Sequence, residues 1–362
     1  MVYDRRSCIW MNDTISSIHG ISIGHSHDEE GLTGCTVAVL KEGSTVSVDI
    51  RGGAPGSYNA ACFQHTTQRE TADAIFLSGG SFFGLDVAAG ARKCLEDKGR
   101  GWDTGFGNMP CVAGAIIFDL RVARKGLHPD AEMGYSACEN AESKPVAEGN
   151  VGAGIGATCG KLLGMDFCMK GGLGSSAVTF PNDLQVGALA VVNCVGNVFD
   201  ASTGKTIAGT RREDRKGFYE FFELFSSLKN PLPKATSAFE NTTIGIVGTN
   251  IRLSKKEATK IAEMAHDGLA RSIRPVHTLS DGDTIYAVAT GELELPPFSP
   301  LSLAPGPRFA VDESSPLSQF MDRSHFISYI GHLASEEMRK AVLRAVIKAK
   351  SVKGIPSVSD YP

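Results

Sequence analysis

Two rhythms of apolar and polar positions run along this chain. Short runs of β-branched and small apolar residues, closed by glycine or proline, read as buried strands. Cys35-Thr-Val-Ala-Val-Leu40, Ala115-Ile-Ile-Phe-Asp-Leu120, Leu184–Asn193, the run entered at Thr242 and Thr284–Ala289 are of this kind. Between them the apolar positions take a helical spacing. Residues 74–98 read as a strand, a Gly79-Gly80 turn and a helix with small residues on one side; Pro129 to Glu142 reads as a short helix. Ser254-Lys-Lys-Glu257 matches a capping box and predicts a helix with Ile261, Ala265, Gly268 and Leu269 inward, ending before Pro275. A last amphipathic helix is expected over Ser335–Lys350, with Met338, Val342, Val346 and Ile347 on its apolar side.

The remaining stretches connect these elements. Residues 1–20 read as a weakly ordered leader, with Met11 an alternative start, and 21–362 as one domain, since nothing marks two independent cores. Residues 200–240 read as a polar linker holding one aromatic helical piece, Gly217–Leu228, and residues 295–325 as a Pro- and Ser-rich excursion. Strands and helices without a regular crossover rhythm predict an α+β chain in which two sheets lie between helices.

Composition narrows the function. With 362 residues, 42% of them hydrophobic, the chain can bury a large core. A net charge of −4 gives no basic field for nucleic acid, and no apolar stretch reaches a membrane span or signal-peptide core. A cytoplasmic enzyme is expected. Nine cysteines are scattered singly without a C-x-x-C pair, which argues against a disulfide framework or a zinc site, and no metal or other cofactor is expected.

Candidate chemistry centres on Asn241-Thr242, where a Pro-punctuated polar stretch meets an apolar strand. As a sequence this is an ordinary strand start. It gains meaning if the bond before Thr242 is cut, because a freed α-amine, with a reference pKa near 8, is a suitable base for the threonine's own hydroxyl. Asp281-Gly-Asp283 is either a plain turn or a carboxylate pair orienting that nucleophile, the closeness of the two disfavouring full ionisation of both. Lys161 is a solvated turn residue or a cation near the site; Asn193, ending an apolar strand, is a turn residue or an oxyanion-hole amide. His266 and His277 read as structural. The glycine run over residues 149–176 allows close backbone approach, either to hold a developing negative charge, with Gly152 and Gly154 as candidates, or to pack a subunit contact. Its G-x-G-x-x-A lacks a preceding strand, its Gly160-Lys161 lacks the rest of a P-loop, and no G-x-S-x-G is present.

Six segments in order carry a resemblance: Asp49-Ile-Arg-Gly-Gly-Ala-Pro-Gly56, Ser78-Gly-Gly-Ser-Phe-Phe-Gly-Leu-Asp86, Gly149-Asn-Val-Gly-Ala-Gly-Ile-Gly-Ala-Thr158, Lys170-Gly-Gly-Leu-Gly-Ser175, Asn241-Thr-Thr-Ile244 and Asp281-Gly-Asp-Thr284. From about Ile21 to Gly291 the chain resembles the self-cleaving N-terminal-nucleophile hydrolases that include the L-aminopeptidase/D-amidase/D-esterase enzymes, β-peptidyl aminopeptidases and nylon-oligomer hydrolases. The resemblance implies a four-layer αββα sandwich, self-cleavage between Asn241 and Thr242 into chains 1–241 and 242–362, and a homotetramer of processed units. It also implies Thr242 as nucleophile, Asp281 and Asp283 as its supporting pair, and Lys161 and Asn193 as the site lysine and asparagine. Threonine with two aspartates is similar to the nylon-oligomer branch, whereas the aminopeptidase branch usually has serine at the Thr242 and Asp281 positions. Phe118 falls where members place a tyrosine whose hydroxyl helps bind the oxyanion.

The expected activity is hydrolysis of a short peptide or other small amide through a threonine acyl-enzyme. Two alternatives stand beside it. One is an acyltransferase of the ornithine acetyltransferase type, whose Ala-Thr-Met-Leu signature is missing here. The other is an uncleaved small-molecule binding protein of the same fold.

Overall fold

The structure, a computed structural model, describes residues 12–226, 241–294 and 323–361. Its first apolar runs, β1 (Ile21–Asp28) and β2 (Thr33–Leu40), pair antiparallel with Ile21 opposite Leu40. β3 (Thr45–Ile50) leaves for a second sheet, and β4 (Ser57–Tyr58), β5 (Ala74–Ser78) and β6 (Val112–Ile116) return to the first, with α1 (Val87–Asp97) between β5 and its parallel neighbour β6. α2 (Ala131–Glu139) begins at Asp130, whose carboxylate accepts the Met133 N–H at 3.0 Å. The first sheet runs β1-β2-β5-β6-β4.

The second sheet takes β7 (Gly172–Thr179), β8 (Gln185–Asn193), β9 (Thr242–Ile251) and β10 (Thr284–Leu293) in the order β7-β8-β9-β10-β3, with β9 and β10 parallel. α3 (Lys255–Ala270) connects β9 to β10, and α4 (Arg323–Ile347) packs beside it. Ile75, Leu77 and Ala113 meet Leu189, Val191, Ile244 and Ile246 between the two sheets. Val37 and Phe76 turn outward onto α1 and α2, while Val247 and Ile285 turn outward onto Ile261 and Ala265 of α3 and Met338 and Val342 of α4. The layers are therefore α, β, β, α.

β9 reads as an unbroken apolar run because both of its faces are covered: Ile244 and Ile246 face the other sheet and Val247 faces the helices. Close packing explains two of the glycines. A Cβ at Gly245 would lie 2.8 Å from Met338 Cε, and one at Gly268 would lie 2.4 Å from the Ser335 carbonyl where α3 and α4 meet. The capping box at Ser254 and Glu257 forms as expected, and Arg323 at the start of α4 pairs with the same Glu257.

Several boundaries differ from the sequence reading. The strand expected over 115–120 lies at Val112–Ile116, which leaves Phe118 and Asp119 in the turn beyond it. The last helix is already under way at Arg323, and Ile347, expected on its apolar side, is half exposed at its end. Of the expected leader, residues 1–11 lie outside the described residues, whereas Ile15 and Ile18 are fully buried between β7, β8 and β1. The expected aromatic helical piece is a short helix over Phe221–Ser226. The end of the linker expected over 200–240, residues 227–240, and most of the Pro-rich excursion, residues 295–322, lie outside the described residues. Among the described residues no helix is long and apolar enough to cross a membrane, and the cysteines are free thiols.

Candidate active site

The strand order converges on the bond between Asn241 and Thr242. Thr242 opens β9 opposite Asn193, the last residue of β8, while Asn241 bridges to Asp281 just before β10. Asn193, Asp281 and Asp283 are all at most 2% exposed, and Thr242 is 5% exposed. Four of the expected site residues thus come together at the ends of three adjacent strands. Lys161 joins them from a loop within the glycine run, its Nζ donating to the Asn193 backbone carbonyl at 3.0 Å and to Asn193 Oδ1 at 3.1 Å.

The bond itself is held in a specific way. The Asn241 carbonyl oxygen accepts the Gly282 N–H at 3.0 Å, and the Thr242 hydroxyl donates to the same oxygen in a short contact. A Cβ on Gly282 would stand 2.8 Å from Thr242 Oγ1 and 3.0 Å from the Ala54 carbonyl, so the middle residue of Asp-Gly-Asp has to be glycine for the hydroxyl to fit. The Asp49–Gly56 turn clamps this loop through Ala54 N–H to the Asp281 carbonyl at 2.8 Å and Arg51 N–H to the Asp283 carbonyl at 3.0 Å. Gly52 lies against it so closely that a Cβ there would come within 2.3 Å of Asp281 O and Asp283 N. That contact accounts for the Arg-Gly-Gly in a segment that touches no reacting atom.

The two aspartates have different environments. Asp283 is saturated: Oδ1 accepts the Thr243 N–H at 2.6 Å, and Oδ2 accepts the His277 N–H at 3.0 Å and faces its Nδ1 at 2.8 Å. Asp281 Oδ2 accepts the Thr278 N–H at 2.7 Å, but its Oδ1 is buried without a hydrogen-bond partner among the described residues. Burial, and then the charge of Asp283, hold the Asp281 carboxyl above the usual carboxylate range. Between its ordinary and raised pKa the folded chain keeps a proton that the unfolded chain has released. The stability this proton contributes is full at acid pH and is lost as pH rises through the raised value. Asp281→Asn should therefore be better tolerated, relative to the parent chain, at neutral pH than at pH ~4, as thermal melts of the two at both pH values would show.

Asn193 is fixed from both ends. Its Oδ1 accepts from Thr158 N–H at 3.0 Å and from Lys161, and its Nδ2 donates to the Phe118 carbonyl at 3.1 Å. The contribution of residue 118 to this contact is its backbone, which phenylalanine supplies as well as tyrosine. Phe118 also lines a small cleft with Asp119, Thr158 and Lys161. Burial lowers the pKa of the Lys161 ammonium.

Gly152 and Gly154, the glycines expected as oxyanion candidates, have their N–H groups engaged within the protein. The Gly154 N–H is taken by the Val151 carbonyl and the Gly152 N–H faces His27 Nδ1 at 3.3 Å. Their conformation serves packing: Gly152 has φ +51°, and a Cβ there would meet Thr36 Oγ1 at 2.2 Å.

His277 was expected to be structural, yet it is the main support of Asp283. It holds a left-handed φ of 58°, strained for a side chain of its kind, with its ring edge-on to His266 at 4.9 Å between centroids. Only its nearness in sequence to the Asp-Gly-Asp turn hinted at this. His266 keeps the expected role: fully buried, it faces the Asp49 carbonyl through Nε2 at 3.1 Å, and burial pushes its pKa down to about 3.

Known proteins are similar to this chain in sequence and in fold. Residues 13–358 match the profile of peptidase family S58. An uncharacterised aminopeptidase of Mycobacterium leprae is 37% identical, with 95% of this chain and 93% of that protein covered. A 6-aminohexanoate-oligomer endohydrolase of Paenarthrobacter ureafaciens is 32% identical, with 90% and 84% covered. Among solved structures, a β-aminopeptidase of a Burkholderia species superposes with a TM-score of 0.64 at 22% identity over 96% of this chain and 89% of that one. The L-aminopeptidase D-Ala-esterase/amidase of Ochrobactrum anthropi, described as a variant of the Ntn-hydrolase fold, superposes with a TM-score of 0.61 at 16% identity, covering 95% and 88%. The four-layer fold is the one these structures share, and the chain belongs to peptidase family S58.

Proposed function

We propose that this peptide- and amide-bond hydrolase cuts its own chain before Thr242 and then uses Thr242 as an N-terminal nucleophile. The observation that carries the reading is the arrangement at one carbonyl: Asn241 O holds both a backbone N–H donor, Gly282, and the hydroxyl of the next residue. That N–H is placed where negative charge develops when the carbonyl is attacked. For attack the Thr242 proton must leave the carbonyl oxygen, and Asp281, whose backbone bridges to Asn241, carries in Oδ1 an acceptor with no hydrogen-bond partner among the described residues. Oγ1 then bonds to the Asn241 carbonyl carbon, the C–N bond breaks, and the nitrogen takes a proton to become the Thr242 α-amine. Water hydrolyses the resulting ester, leaving Asn241 as a carboxylate and Thr242 as a chain start.

In the processed enzyme the amine accepts the hydroxyl proton as Oγ1 attacks the substrate carbonyl, and passes it to the departing amine. Water then cleaves the acyl-enzyme by the same path in reverse. Asn193 and Lys161 border the nucleophile and supply its polar surroundings, while Asp283 holds the Thr243 amide and so fixes the nucleophile's backbone. The substrate is a small linear amide, as the relatives named aminopeptidase and 6-aminohexanoate-oligomer endohydrolase suggest. Assembly into a homotetramer of processed units belongs to the same proposal.

Gly282→Ala tests the arrangement without touching a reactive group. The added methyl forces Thr242 Oγ1 or the Ala54 backbone to move. A displacement on the order of 1 Å costs roughly 10²-fold in rate, so self-cleavage followed by intact mass should slow by about that factor while circular dichroism stays unchanged. Self-cleavage at the parent rate would show that the close approach of Gly282 is unrelated to the chemistry.

A further inference from the structure

Lys170 is the one lysine among the described residues with no exposed surface, and the steps above do not use it. It sits in the two-residue strand Met169–Lys170, paired with Thr158–Cys159, at the head of the Lys170-Gly-Gly-Leu-Gly-Ser175 segment. Its Nζ donates to three backbone carbonyls, Ala157 at 2.8 Å, Gly154 at 2.9 Å and Gly171 at 3.1 Å. An ammonium has three hydrogens, and all three are used. Burying such a charge is costly unless every hydrogen finds an acceptor, so this site was built around the cation.

Two of the carbonyls it gathers, Gly154 and Ala157, are those of the turn that ends at Thr158. The residue after Ala157 donates its N–H to Asn193 Oδ1 at 3.0 Å, and Asn193 lies across the strand pair from Thr242. On the other side of the turn a Cβ at Gly156 would come within 2.6 Å of Asp119 Oδ2. Asp119 is itself buried, held by Gly80 N–H at 2.7 Å and the Thr33 hydroxyl at 2.9 Å, and it follows Phe118, whose carbonyl accepts from Asn193 Nδ2. Both hydrogen-bonded ends of the Asn193 side chain therefore trace back to segments pinned by a buried charge.

We propose that Lys170 is a positioning residue of the hydrolytic site, whose contacts to the Gly154 and Ala157 carbonyls fix the 154–158 turn so that Thr158 delivers its N–H to Asn193 beside the nucleophile. This rests on the reading of Thr242 and Asn193 given above. Burial pushes the Lys170 ammonium down to about 7 and the Asp119 carboxyl up to about 6, as expected for charges kept inside a fold at a cost.

The test is a double-mutant cycle on the processed enzyme, with kcat and KM for an aminoacyl p-nitroanilide or a 6-aminohexanoate oligomer referred to the amount of cut chain. Lys170→Met keeps the length of the side chain and removes its donors. It should lower kcat about 10- to 100-fold with KM within about twofold, whereas in an Asn193→Ala background it should cost less than about twofold more. If Lys170→Met blocks processing, the same cycle is read on the rate of self-cleavage; if it does not fold, Lys170→Gln, which keeps two donor hydrogens, takes its place. A kcat unchanged in Lys170→Met, or an equal loss in both backgrounds, overturns the proposal for Lys170 and leaves the site reading intact. Asn193→Ala with the parent kcat would instead remove the premise that Asn193 serves the site, and the proposal with it.

Discussion

Replacing Thr242 by alanine should leave a single uncut chain with no measurable amide hydrolysis, a loss of at least roughly 10⁴-fold, as for removal of any covalent nucleophile. The fold should survive, because Thr242 contributes one methyl and one hydroxyl at the start of a strand whose ladder to Asn193 uses the backbone. Thr242→Ser, which keeps the hydroxyl, should still process and turn over. Intact mass and hydrolysis of a chromogenic amide decide both variants. Processing by the alanine variant at the parent rate would place the nucleophile elsewhere.

Asp283→Ala should be the most damaging change that leaves the reactive groups untouched. It strands the N–H groups of Thr243 and His277 in a buried site, at about 1–3 kcal/mol for each unpaired group, and removes the partner that holds the His277 ring. Denaturant unfolding of the uncut chain should show a loss of roughly 3 kcal/mol or more, and self-cleavage should slow by at least about 10²-fold as the Thr242-Thr243 backbone loses its anchor. Asp283→Asn keeps the volume but sets an NH₂ against one of these donors, so its loss should fall between the parent and the alanine variant. Parent-like stability in Asp283→Ala would mean that the hydrogen bonds at this carboxylate carry little of the site's order.

The layered fold could be read from the sequence because its signals are local. β9 is a β-branched run between turn residues, α3 carries its own capping box, and the glycine turn after β5 announces α1. The set Thr242, Asp281, Asp283, Asn193 and Lys161 was named through the resemblance, and the strand order brings it together: four of the five stand at the ends of neighbouring strands and Lys161 in a loop that closes on them.

What the sequence hid is non-local or belongs to the backbone. A lysine that spends three hydrogens on carbonyls reads like any surface lysine until the turn over residues 154–157 folds back on it. The donor at Asn241 O is the N–H of Gly282, and no residue type advertises a backbone amide. Gly152 and Gly154 looked like amides free to hold an anion, but the Gly154 N–H is used inside the turn and the Gly152 N–H faces His27 Nδ1. His277 looked structural because its tie to Asp283 depends on a left-handed backbone that no local pattern demands of a histidine.

The most direct measurement is N-terminal sequencing of the fragments in active, purified protein, with intact masses of the same sample. The account predicts two chains that stay together, the C-terminal one beginning Thr242-Thr-Ile-Gly-Ile246 with a free amine. Full activity from a chain still joined at Asn241-Thr242, or a fragment beginning at any other residue, would contradict it.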